Sequence, residues 1–148
     1  MLESEQVLPI RLKDAWEFFS TPLNLASITP SDMRFEILSK DADKPIFDGM
    51  RIDYRVRPIL GIPVRWTSVI RNVERLHSFT DLQVRGPFAK WEHHHRFVDS
   101  PYGVIVKDRV LYKLPLGPLG GLVHTVLVRG RLEAIFKHRE RALNAIFA

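Results

Sequence analysis

The chain has 148 residues, 45% of them hydrophobic and 26% charged, with no cysteine. That length and composition predict one globular domain over residues 1–148 and exclude a disordered chain. The missing cysteine excludes a disulfide scaffold, a cysteine nucleophile and thiolate-bound zinc or iron–sulfur centres, while a formal charge of +5 favours anionic surroundings without naming one.

Met1–Ile10 carries Glu3 and Glu5 and no apolar run, which reads against a signal peptide. Within it, Gln6–Ile10 reads as a short first strand, with Pro9 at a strand end or sheet edge. Lys13–Ser20 places Ala15, Phe18 and Phe19 at helical spacing. Leu23–Ser27 adds a second short helical turn between Pro22 and Pro30.

From Met33 the period changes to two. Arg34–Ser39 alternates, and Gly49–Arg57 does so cleanly, with Met50, Ile52, Tyr54 and Val56 on one face and Arg51, Asp53, Arg55 and Arg57 on the other. Strands follow over Val64–Val73, Phe79–Arg85, Trp91–Asp99 and Val104–Leu114, joined by short turns, which predicts an antiparallel meander. Pro115–Gly121 is a glycine-rich entry to a helix and lacks the spacing of a phosphate-binding fingerprint.

In the last segment, steps of three and four residues recur within Leu119, Leu122, Val123, Val126 and Leu127, then within Leu132, Ile135 and Phe136, and within Leu143, Ile146 and Phe147. One amphipathic helix of about 28 residues, ~42 Å long, is expected. Gly130 is a weak point in it. The apolar stretch Leu114–Val128 is interrupted by prolines, glycines and His124 before the ~20 residues that a bilayer requires. The expected fold is therefore α+β, a curved antiparallel sheet gripping one long C-terminal helix, in a cytoplasmic protein. The arginines of the strands and of the C-terminal segment, Arg139 included, read as solvated faces, and no nucleic-acid motif accompanies them.

Four segments carry a family likeness: Pro22–Pro30, Gly61–Trp66, Gly86-Pro87 with Trp91–Phe97, and Asp108–Tyr112 with Leu114–Gly117. Together they resemble the SRPBCC superfamily of START/Bet v 1-like ligand-binding domains, and the small bacterial cyclase/dehydrase-like members most of all. The resemblance spans roughly residues 5–147. It implies the helix-grip fold and a deep pocket for an apolar or amphipathic molecule of lipid, polyketide or quinone type. It implies no single reaction, because one fold hosts many functions. On this resemblance the concave-face aromatics Tyr54, Trp66, Phe79, Trp91, Phe97 and Tyr112 line the pocket, and Leu119, Leu122, Val123 and Val126 form its floor. Which face of its strand Trp66 takes is open at this point.

The pleat predicts a polar cluster. Trp91, His93, His95 and Phe97 share one face, as do Val106, Asp108, Val110 and Tyr112. Pairing Asp99 with Val104 sets His95 opposite Asp108 and His93 opposite Val110. Pairing Arg85 with Trp91 sets Asp81 opposite His95 and Gln83 opposite His93. Direct neighbours lie ~4.5–5.5 Å apart at Cβ, so His95 is expected between two carboxylates, with a raised pKa. Three roles stay open: a hydrogen-bonded network that fixes the sheet, recognition of a ligand's polar head by Gln83, His93, His95 and Asp108, or catalysis with His95 as acid/base and Asp81 or Asp108 orienting it. His93 and His95 with a carboxylate also suit a metal, but those carboxylates are placed to hydrogen-bond the imidazoles, so neither metal nor cofactor is expected.

The expected partner is thus a hydrophobic small molecule, with no nucleic acid and no transmembrane segment, in a monomer or homodimer. Binding of that molecule is the first functional reading. The alternatives are a cyclase or dehydratase using His95, and an interaction module using the basic outer surface.

Overall fold

Period-two alternation of apolar and polar residues makes strand the commonest element of the chain. The computed structural model describes residues 1–58, 61–115 and 121–147, the side chains of 121–124 excepted. Strand β1 (Leu2–Leu8) leads into helix α1 (Leu12–Phe19) and two 3-10 segments, Pro22–Ile28 and Ser31–Met33. Strands β2 (Glu36–Ile37), β3 (Arg51–Val56), β4 (Val64–Glu74), β5 (Ser78–Arg85), β6 (Lys90–Ser100) and β7 (Gly103–Lys113) follow, then helix α2 (Gly121–Phe147). The strands form one antiparallel sheet in the order β1-β7-β6-β5-β4-β3-β2. This is a helix-grip fold: a curved sheet, short helices after the first strand, and one long C-terminal helix. Among the described residues, no helix is long and apolar enough to cross a membrane.

Local chemistry sets the element ends. β1 stops at Leu8 because Pro9 has no amide hydrogen to give to the ladder. β2 shrinks from the expected six residues to two, and Arg34 just before it turns into the left-handed region (φ 48°). Register shifts in the β4–β5 pairing, at Thr67/Ser68 and between Arg71 and Glu74, interrupt the ladder, and such bulges sharpen the local twist and bend of a sheet.

α2 buries Val128, Leu132, Arg139 and Leu143 at helical spacing. Val128 and Leu132 pack with Leu2 and Val110, and Leu143 joins the larger core of Leu8, Trp16, Phe79 and Phe97. Trp16 of α1 sets its edge against Phe79 and Phe97 at 6.0 and 5.8 Å, a favoured geometry for aromatic quadrupoles. The helices thus close one side of the curved sheet and leave space between.

Candidate functional site

A cavity of about 180 Å³ lies between the sheet and α2. Its wall is mostly aromatic and aliphatic. β3 contributes Ile52, Tyr54 and Val56; β4 contributes Trp66 and Ile70; β5 contributes Phe79 and Asp81; β6 contributes Trp91, His93 and His95. From α2 come Val128, Arg131, Leu132, Ile135, Phe136 and Arg139. The rings are ordered by mutual contact: Tyr54 stacks on Trp66 at 5.9 Å, and Trp91 meets Trp66 edge-on at 5.2 Å. Arg131 also anchors loops to the helix, donating from Nε to Pro58 O at 2.8 Å and from Nη2 to Asp32 Oδ2 at 3.0 Å.

Asp108 of β7 is the centre of a buried polar cluster. His93 Nε2 donates to its Oδ1 at 2.7 Å, and Arg139 Nη2 donates to the same oxygen at 3.3 Å. His95 Nδ1 lies 3.3 Å from that oxygen but is out of line for a hydrogen bond. His93 and His95 stack at 3.7 Å, and His95 stacks on Phe79 at 4.2 Å. The Arg139 guanidinium sits over the rings of Phe19 and Phe136, 5.4 and 5.7 Å from their centres, which favours a cation.

These contacts set the charges. Burial alone would raise the Asp108 pKa, but Arg139, the hydrogen bond from His93 and the nearby His95 outweigh it and hold the carboxyl well below its usual range. Burial, reinforced by His93, lowers the His95 pKa to about 3, and Asp108 offsets only part of this. His95 is therefore a neutral imidazole at neutral pH, contrary to the raised pKa expected from two flanking carboxylates. Burial raises the Asp81 pKa, with Ser68 and His93 opposing. Burial and the nearby Asp81 charge raise the Tyr54 pKa well above its usual value.

The altered flanks of His95 trace to register. The β6–β7 ladder is the expected one, with His95 opposite Asp108, His93 opposite Val110 and Trp91 opposite Tyr112. The β5–β6 ladder differs: Phe79, not Asp81, faces His95, and Asp81, not Gln83, faces His93. Gln83 is the cause. Its amide donates to Phe88 O at 2.8 Å and accepts from Phe88 N at 3.1 Å, so the turn closes on the side chain of Gln83 instead of at Arg85. An even slip leaves each side chain on its expected face.

Seven of the expected residues therefore line the cavity: Tyr54, Trp66, Phe79, Asp81, Trp91, His93 and His95. Gln83 braces the turn. Phe97 belongs to the core beside Trp16 and Phe19. Asp108 lies behind the histidines, and Tyr112 packs against Phe88 and Trp91. Val126 is not in the cavity floor: it is 65% exposed, because the buried stripe of α2 runs through Val128 and Leu132 instead. Leu119 and the side chains of Leu122 and Val123 lie outside the described residues.

Arg139, read from sequence as solvated, is 7% exposed. The available signal was its place three residues beyond Phe136 and four beyond Ile135, on the apolar stripe of the helix.

His93, His95 and Asp108 bring one ligand atom each to within 4.8 Å of one another. A chelate needs ring lone pairs that converge, and these lie in the ring planes. Stacking at 3.7 Å with 23° between planes keeps them nearly parallel, and the Arg139 cation shares Asp108 Oδ1 with His93. As placed, the three residues form a stacked and hydrogen-bonded cluster.

No protein-family model and no curated protein matches the chain. Solved structures do. A START superfamily protein from Mycobacterium smegmatis superposes with a TM-score of 0.70 at 14% identity, over 98% of this chain and 97% of that one. Ara h 8.0201 gives 0.58 at 17% identity, over 96% and 95%. The di-domain ARO/CYC StfQ of the steffimycin biosynthetic pathway gives 0.73 at 16% identity, over 99% of this chain and 49% of its own length. Sheet order, the long closing helix and these likenesses together give the chain the helix-grip fold of the START/Bet v 1-like (SRPBCC) domains.

Proposed function

We propose that this chain binds an apolar small molecule in the cavity between the sheet and α2. One observation carries the reading: a concave wall of aromatic and aliphatic side chains with a few polar groups, Tyr54, Asp81 and the two histidines, on neighbouring strands. Such a site draws its affinity from apolar burial and its orientation from the few polar atoms. The test is native mass spectrometry of the protein purified from its own host, followed by extraction. One apolar molecule per chain is expected. The reading fails if the protein is bare and no fatty acid, quinone or aromatic compound binds it saturably.

A second reading is an acid–base enzyme of cyclase or dehydratase type, as the ARO/CYC name of StfQ suggests for that protein. The observation in its favour is Asp81, which lines the cavity and keeps a buried carboxyl oxygen without a hydrogen-bond partner. The neutral His95 is no proton donor, so on this reading the acid is Asp81. Turnover of a bound compound that Asp81→Asn abolishes, with binding retained, would establish it.

A further inference from the structure

The cavity has two properties that narrow its ligand. The first is size. About 180 Å³ lies below the ~300–1,000 Å³ of clefts for drug-sized ligands, and a dry cavity of roughly 150 Å³ is filled by a single benzene. A long acyl chain or a four-ring polyketide would extend beyond it. The second is a set of polar atoms without hydrogen bonds: Trp66 Nε1, Asp81 Oδ1 and His95 Nδ1 are buried, and all three residues line the cavity. Buried polar atoms are almost always paired, and leaving one unpaired costs more than a typical hydrogen bond gains. Tyr54 OH and Ser68 Oγ bond to each other at 3.1 Å, and His95 Nδ1 has the Asp108 carboxylate 3.3 Å away, so Trp66 and Asp81 are the positions left to a ligand.

Resting on the binding function proposed above, we infer that the ligand is a compact one- or two-ring planar aromatic bearing a hydroxyl or carbonyl oxygen, with that oxygen held by Trp66 Nε1–H and Asp81. Aromatic surroundings suit an aromatic ligand: Tyr54, Trp66, Phe79 and Trp91 all line the cavity. An indole N–H donates only, so it requires an acceptor oxygen. The carboxyl of Asp81 takes a ligand hydroxyl as donor, or in its protonated form donates to a carbonyl.

Equilibrium dialysis with 2-naphthol, naphthalene and hexadecanoate tests this. 2-Naphthol saturates at one per chain, and hexadecanoate neither binds saturably nor displaces it. Trp66→Phe keeps an aromatic ring and removes the donor. It weakens 2-naphthol about three- to ten-fold, the worth of one uncharged hydrogen bond, and weakens naphthalene less than about two-fold. Asp81→Leu gives the same contrast, so the question stands even if one variant fails to fold. Equal losses for both aromatics, or no loss in either variant, overturn the oxygen site. Saturable hexadecanoate binding overturns the size class and leaves the binding function intact. Failure of all three compounds overturns the inference, and the binding function falls separately if host-purified protein is also bare.

Discussion

Arg139 of α2 and Asp108 of β7 meet at 3.3 Å in the interior, with both side chains under a tenth exposed. This pair ties the closing helix to the sheet. A buried ion pair is retained at a desolvation cost, so removing one partner leaves an uncompensated charge. Arg139→Met is expected to destabilise the fold by ~3–5 kcal/mol, read by urea unfolding. The double variant Arg139→Met with Asp108→Asn recovers much of the loss, because no lone charge remains.

His95 makes stability pH-dependent. Its pKa falls from 6.5 in the unfolded chain to about 3 in the fold, so the unfolded state binds the extra proton between those values. Stability is then complete above about pH 6.5 and is lost as the pH falls toward 3. The loss between pH 7 and pH 5 is about 2 kcal/mol. Asp108 acts with the same sign at lower pH: its depressed pKa gives stability that is present above the normal carboxylate range and disappears as the pH drops through the folded value. His95→Phe keeps the ring beside Phe79 and removes the titrating group. Unfolding curves at pH 5 and 7 should then show a smaller difference than in wild type.

The two sides of α2 should respond oppositely to truncation. Leu132 is 6% exposed and Val126 is 65% exposed. Leu132→Ala is expected to cost ~2–5 kcal/mol and to enlarge the cavity that Leu132 lines. Val126→Ala should stay within about 0.5 kcal/mol. Parallel denaturant titrations compare them directly.

Gly103 fixes the start of β7. Its φ of +125° is open to glycine and strained for other residues, and a Cβ there would run into the carbonyl of Leu8 in β1. Gly103→Ala should therefore destabilise by more than ~1 kcal/mol and loosen β1 from β7. Faster amide exchange at Leu8 and Val104 would register that loosening.

Strand alternation and the helix period made the architecture legible in the sequence. The β6–β7 register was legible too, because Ser100–Gly103 is a tight turn with few ways to close. The β5–β6 register was not, since Gln83 hydrogen-bonds the backbone of Phe88 and shifts where the turn closes. Side-chain clamps of this kind leave no periodic trace. Arg139 was hidden for a different reason. A charge on an apolar stripe reads as solvent-facing unless its buried partner is known, and Asp108 lies 31 positions away in the chain. Trp66 could not be assigned a face from sequence because the turn before β4 leaves its phase free. In the fold it shares the cavity wall with Ile70.

The most direct test of the account is occlusion of the cavity in protein purified from its own host. Leu132→Trp fills the space from its floor, and Val126→Trp places the same bulk on the exposed side of α2. After circular dichroism confirms that both are folded, the bound compound is extracted and quantified per chain. The account predicts near-stoichiometric compound in wild type and Val126→Trp, and little in Leu132→Trp. Equal amounts in all three proteins would place binding elsewhere and contradict it.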